Sequence, residues 1–142
     1  MREILFRGKA NSEIRDGEWV YGSLLAESEN TFPIIARSYD NDEDWLGIDL
    51  WDTVEPQTVG QFTGMCDKND RKIFEGDIMT FEAFGFKYIG IVQIIDGNAT
   101  ILCDNQISPK GSPFLDDATK RYNAIIIGNI HDNPELLKGG EG

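Results

Sequence analysis

Two short acidic runs place oxygen-bearing side chains at spacings that a metal ion uses, so metal chemistry is the first possibility to test. In "DKNDRK", residues 67–72, Asp67 and Asn69 take the first and third places of a calcium loop. Such a loop also needs an oxygen ligand in the fifth place, a glycine in the sixth and a bidentate acid in the twelfth. Arg71 and Lys72 stand in the fifth and sixth, and the pattern fails. In "DNDEDW", residues 40–45, Asp40, Asp42 and Asp44 alternate correctly, but Trp45 holds the glycine place and Trp51 the place of the bidentate acid. Neither run is expected to bind a metal.

Other chemistries find equally little. Zinc asks for three or four thiolate or imidazole ligands, whereas the chain offers His131, Cys66 and Cys103 at no recognised spacing. No spacing marks His131 and a cysteine as a nucleophile pair; His131 is expected to be partly exposed ahead of a last helical turn. No glycine-rich run precedes a helix, so no phosphate cradle and no nucleotide cofactor are expected. With 25 acids some pair always falls at a separation suited to glycoside hydrolysis, and abundance carries no specificity. No catalytic residue and no cofactor is assigned, and the protein is expected not to be an enzyme.

Three sets of residues remain. Arg7 and Lys9 can approach Trp19 and Tyr21 across a hairpin, forming a base-and-aromatic patch of the kind that stacks single-stranded nucleic acid or anchors a partner. Aromatic residues on a strand face more commonly pack a core. The acids Asp40, Asp42, Glu43 and Asp44 form a second surface that a basic partner would recognise, or a solvated loop that keeps the protein soluble. In "FEGDIM" the glycine supplies a backbone angle that other residues avoid, and the aspartate can accept backbone N–H bonds. Asp67, Asn69, Glu75, Gly76 and Asp77 are therefore read as turn and strand-start residues.

These residues need a scaffold, and composition bounds it. The chain has 142 residues with 40% apolar and 11% aromatic content, which favours a folded domain over disorder in spite of a net charge of −12. An acidic chain repels phosphate backbones, so direct nucleic-acid binding is disfavoured. The two cysteines are expected as reduced thiols. No run approaches the length of a membrane span and the N-terminus does not read as a secretory leader. The expected compartment is the cytoplasm.

Periodicity points to many short strands. "EILFR" and "EWVYGSLL" form a predicted hairpin. From Ala26 to Trp51 no period is sustained and Pro33 intervenes, so a short edge strand and an exposed loop are predicted there. Extended structure resumes in "VEPQTVGQFTG" and ends near Met65, and "IMTFEAF" alternates with Met79, Phe81 and Ala83 on one side. "KYIGIVQII" and "NATILC" are joined by Asp96-Gly97, a dipeptide suited to a tight hairpin; the first of the pair is apolar on both faces and reads as a central strand. A short helix is predicted after Ser112 as cap and Pro113 as first residue, then a strand in "NAIIIGNI" and a helical turn with Asn133 as cap and Pro134 at its start. The expected fold is mostly β, a small barrel or sandwich of short antiparallel strands with one or two short helical turns. It forms a single compact domain over 1–142, with a smaller lobe at about 26–55.

Four stretches, "FRGK", "GEWVYGSLL", "TVGQFTGMCDKNDRKIFEGDI" and "IIGNIHDNPELL", resemble the YopX family of phage and prophage proteins in order and spacing. The resemblance implies a compact mostly-β fold of phage origin, in the cytoplasm of an infected or lysogenic bacterium. It implies no reaction and no catalytic residues. Among the positions it marks are Arg7, Trp19, Tyr21, Asp67, Asn69, Glu75, Gly76, Asp77, Gly128, Asn129 and Pro134. The chain departs from the family at Asp70, where a glycine is usual, so the turn there is expected to be strained or of another type. With no complete catalytic or cofactor pattern in the chain, the expected function is a phage accessory protein that binds an unknown protein partner or itself, and exposed strand edges favour a homo-oligomer. Alternatives are an acidic DNA mimic that inhibits a basic nucleic-acid enzyme, and a small-barrel ribonuclease suggested by the Gly-Asp strand start.

Overall fold

The computed structural model describes residues 4–28, 31–42, 45–103 and 113–137, and for 26–28, 31, 37–42 and 45–50 it describes the backbone alone. Two compact units divide the chain, Met1–Phe62 and Thr63–Gly142. The fold is mostly β.

The first unit holds β1 (Phe6–Lys9), β2 (Trp19–Ser28), β3 (Thr31–Asp42), β4 (Trp45–Thr53), a 3-10 turn at Pro56–Thr58 and the start of β5 (Gly60–Cys66). Its strands lie in the order β4-β3-β2-β1-β5. The first hairpin begins later than its apolar pattern suggests, because pairing starts at Phe6 opposite Gly22 and runs to Lys9 opposite Trp19. Among the described residues of this unit, Ile35 and Val54 are the large side chains that are fully buried. Gly8 admits Val54: a Cβ on Gly8 would stand 3.0 Å from the Val54 side chain.

The stretch from Ala26 to Trp51 corrects the sequence reading. A short edge strand and a loop are predicted there, whereas β3 and β4 form a long hairpin paired from Ile34 opposite Thr53 to Asp42 opposite Trp45. Register shifts between Arg37 and Ser38 and between Asp40 and Asp42 break the two-residue period, which hides the strand from a pattern search. Pro33 is tolerated inside β3 because it falls just past the end of the β3–β4 pairing at Ile34–Thr53, where its carbonyl still accepts the Val54 N–H at 3.0 Å.

The second unit continues with β6 (Lys72–Phe74), β7 (Asp77–Ala83), β8 (Phe86–Ile95), β9 (Asn98–Cys103), α1 (Leu115–Tyr122), β10 (Ile125–Asn129) and a 3-10 turn at Pro134–Leu137. β5 ends in this unit beside β6, and a four-stranded antiparallel sheet runs β10-β7-β8-β9. This sheet is open rather than closed into a barrel. As the alternation predicts, Met79, Phe81 and Ala83 are buried together, and they pack with Ile73, Tyr88, Val92, Ile101 and Leu115. β8 lies between β7 and β9, in keeping with its two apolar faces. Asp96 and Gly97 have φ of 51° and 81°, the paired positive angles of a tight hairpin turn.

The helix starts two residues later than predicted. Phe114 is its extended N-cap, with no side-chain cap. Phe114 bridges to Thr100, and the Pro113 carbonyl accepts the Ile101 N–H at 3.1 Å. Backbone pairing beside β9 thus holds Pro113 outside the helix, and Ser112 lies outside the described residues. Asp116 and Asp117 in the first turn and Lys120 and Arg121 in the last complement the helix dipole.

Candidate functional site

The densest polar geometry in the second unit surrounds Asp67. Its Oδ1 accepts the N–H groups of Asn69 and Arg71, each at 3.0 Å. Its own N–H donates to the Arg71 carbonyl at 2.9 Å, as does that of Asp70 to the Asp67 carbonyl. Asp70 closes the turn in the left-handed region, with φ of 64°. Aspartate reaches that region more readily than most residues, though less readily than the glycine usual in the family.

The other oxygen of Asp67 works over a longer range. Oδ2 accepts the Ile126 N–H at 3.1 Å, and the Arg71 guanidinium, 3.5 Å from Oδ2, donates to the Ile126 carbonyl. Burial by itself raises the pKa of this carboxyl, but backbone hydrogen bonds from Arg71, Ile126 and Asn69 and the Arg71 charge outweigh it. The group is held below the ordinary carboxylate value.

The Glu75-Gly76-Asp77 turn is anchored in a similar way. Gly76 takes φ of 91°, which a side chain would strain. Its N–H reaches the Val92 carbonyl and its carbonyl accepts from Ile130, both at 2.9 Å. Asp77, 2% exposed, accepts the Phe74 N–H through Oδ2 at 2.8 Å. Glu75 is half-buried in the same turn.

A third knot holds the C-terminal segment, and residue-level reading of the sequence passed over its organiser. Asn129 Oδ1 accepts the N–H groups of His131 and Asp132 at 3.0 and 2.9 Å. Asn133 stands in the predicted cap place, its carbonyl accepting the Leu136 N–H at 3.1 Å, while its Oδ1 turns back to accept the Asn129 N–H at 3.3 Å. A Cβ on Gly128 would stand 2.6 Å from that same oxygen, so glycine is required for the approach. The signal that could have found this knot is the pair of asparagines four residues apart flanking a turn.

In the first unit Arg7, Lys9, Trp19 and Tyr21 come together. Arg7 stands opposite Tyr21 and Lys9 opposite Trp19, and residues directly opposed across antiparallel strands share a face. The Arg7 guanidinium lies 4.6 Å from the Trp19 ring centroid and the Lys9 ammonium 5.6 Å. Arg7 is buried, whereas Tyr21 is 45% exposed.

The same face continues across the sheet, since Ser23 opposes Ala36 and Ala36 opposes Trp51. Trp51, 62% exposed, was not singled out from the sequence because it lies in the stretch without period. Of the acidic set, Asp40 and Asp42 occupy β3 opposite Leu46 and Trp45, with side chains outside the description. Glu43 and Asp44 lie outside the described residues. The sequence-proposed acidic surface therefore has no described geometry.

Both cysteines are free thiols. Burial pushes the Cys103 thiol up to about 11.

The fold and these knots define a class: small antiparallel β proteins whose sharp turns are closed by buried carboxylates and half-buried amides on backbone N–H groups. The YopX protein profile matches residues 6–138, and the chain belongs to the YopX family. It is similar in fold to the crystal structure of protein EF1440 from Enterococcus faecalis, with a TM-score of 0.62 and 24% identity over 96% of this chain and 99% of that one. At that identity the likeness speaks for the fold alone. A comparison with curated proteins found no match. Among the described residues, no helix is long and apolar enough to cross a membrane.

Proposed function

We propose that this protein is a phage- or prophage-encoded accessory module of the bacterial cytoplasm that acts by binding a partner protein or itself, without catalysis. One observation supports the reading above others: on one face of the first unit's sheet, Trp19 is held by Arg7 and Lys9 while Tyr21 and Trp51 stand exposed. Tryptophan, tyrosine and arginine are the residue types that carry most binding energy at protein interfaces. The conspicuous motif residues Asp67, Asp77 and Asn129 meanwhile serve backbone groups.

The test is capture from the lysate of a bacterial host, with and without nuclease and at two salt concentrations, using the wild type and a Tyr21→Ser/Trp51→Ser variant. The expected result is a protein retained by the wild type after nuclease and lost by a variant that melts as the wild type does. Equal recovery by both proteins, or no partner alongside a monomer in solution, overturns the reading.

The net charge of −12 favours a second reading, an acidic mimic of nucleic acid. That reading requires a basic partner whose binding weakens steeply with salt.

A further inference from the structure

Strand β10 is a sheet edge of the kind that invites a further strand. It ends the order β10-β7-β8-β9, and its residues, Ile125-Ile126-Ile127-Gly128-Asn129, include neither a charge nor a proline. A β-branched apolar edge of that composition templates pairing with other chains, and lysine, proline, inward charges and bulges are the usual protection. A register shift between Ile126 and Gly128 supplies one such device. Further protection has to come from outside the strand.

Three neighbouring elements supply it. Just before the strand, the Ala124 N–H donates to the Ala118 carbonyl of α1 at 3.0 Å. At its far end the Asn129 N–H donates to Asn133 Oδ1 at 3.3 Å. Between them both backbone groups of Ile126 meet the β5–β6 turn: the N–H donates to Asp67 Oδ2 at 3.1 Å, and the carbonyl accepts from the Arg71 guanidinium. The opposite edge of the sheet is met by backbone instead, since the Ile101 N–H donates to the Pro113 carbonyl and Thr100 bridges to Phe114. At Ile126 side chains stand where a strand would.

The turn does not require this reach. Asp67 Oδ1 accepts the N–H groups of Asn69 and Arg71 that close it, and Arg71 takes part in that closure through its backbone, its carbonyl accepting the Asp67 N–H. The Arg71 side chain is 54% exposed, whereas that of Asp67 is wholly buried. Oδ2 and the guanidinium thus serve β10 rather than the turn that carries them.

We infer that Asp67 and Arg71 are an edge guard: by holding both backbone groups of Ile126 they keep β10 from taking a further strand, and without them β10 pairs antiparallel with β10 of a second copy. Ile126 turns one donor and one acceptor away from β7, which makes it self-complementary. A two-fold axis at this residue lets two copies exchange both bonds, as the opposed residues of a hydrogen-bonded antiparallel pair do. All of these residues belong to the second unit, so the guard stands apart from the binding face of the first.

The test is sedimentation velocity of the full chain over a wide concentration range, comparing the intact guard with Arg71→Ala and Asp67→Ser/Arg71→Ala. Arg71→Ala removes an exposed side chain and leaves the backbone bonds of the turn in place. Serine keeps one oxygen for the turn and loses the reach to β10. All three chains also carry Tyr21→Ser/Trp51→Ser, so that contacts through the first unit's face are not counted. Association is expected to rise from the intact guard through Arg71→Ala to the double change, whose apparent Kd falls about tenfold or more because each pair of copies forms two new hydrogen bonds. Amide hydrogen exchange at Ile126 is expected to slow with concentration in both variants and not in the intact guard.

Folded variants that associate no more than the intact guard overturn the inference and leave Asp67 and Arg71 a purely stabilising role. So does an association that leaves exchange at Ile126 unchanged, because the contact then lies elsewhere. An intact guard that already slows Ile126 exchange on concentration overturns it as well, since the edge was then never closed. If the double change prevents folding, Arg71→Ala decides by the same two readouts.

Discussion

The Asp67 carboxylate accepts the backbone N–H of Ile126, 59 residues further along the chain, at 3.1 Å. Arg71, which pairs with Asp67, donates to the carbonyl of the same residue. Ile126 belongs to β10, an edge strand of its sheet, and unpaired edge groups invite pairing with other chains. The carboxylate and guanidinium meet both backbone groups of Ile126 as a neighbouring strand would.

Replacing Asp67 with asparagine keeps the shape and removes the charge. One face of the amide then presents a donor to groups that are themselves donors. The expected loss is about 2 kcal/mol of unfolding free energy, the range for hydrogen bonds to a charged group. Urea denaturation of wild type and Asp67→Asn measures it, and an unchanged midpoint would remove Asp67 from its place as organiser of the turn.

Acid should reveal the same group. Its folded pKa lies below the ordinary value of 3.8, so the folded state binds fewer protons than the unfolded one as the carboxyl titrates. Its contribution is present above the unfolded value and is lost as pH falls through the folded one. Unfolding free energy measured against pH should drop more steeply below about pH 4 in the wild type than in Asp67→Asn. Parallel curves would contradict the assignment.

Gly128→Ala tests the C-terminal knot. The new methyl would stand 2.6 Å from Asn133 Oδ1 and 2.9 Å from Leu136 Cδ1, forcing the last turn away from β10. Overpacking of this kind costs about 1–3 kcal/mol. Adding Asn133→Ala removes the nearest clashing atom, so the double variant should lose less than the sum of the two single changes. Strict additivity in thermal or urea unfolding would refute the contact.

The stack of Arg7 on Trp19 is open to a double-mutant cycle. Arg7→Met and Trp19→Leu each keep apolar bulk while removing one partner of the cation–π contact. A coupling energy of about 1 kcal/mol is expected for a pair this sheltered. Zero coupling would mean that the two side chains are merely neighbours.

Turns and alternation were legible because they depend on residues close in sequence. Asp96-Gly97 and Gly76 carry their backbone preferences locally, and Met79, Phe81 and Ala83 announce a buried face by spacing alone. The small-helix start failed where a non-local contact intervened: Pro113 is drawn into pairing with Ile101, which outweighs its preference for a first helical position. β3 and β4 were missed because bulges erase the period on which strand recognition depends.

The candidate surfaces divide along the same line. The sequence could place Arg7 and Lys9 near Trp19 and Tyr21, since one hairpin register suffices to bring them together. The addition of Trp51 to that face needed three strands in register. The reach of Asp67 to Ile126 needed the complete fold as well. Local propensity is written residue by residue, but a hydrogen bond across 59 residues exists only once the strands between its partners have paired.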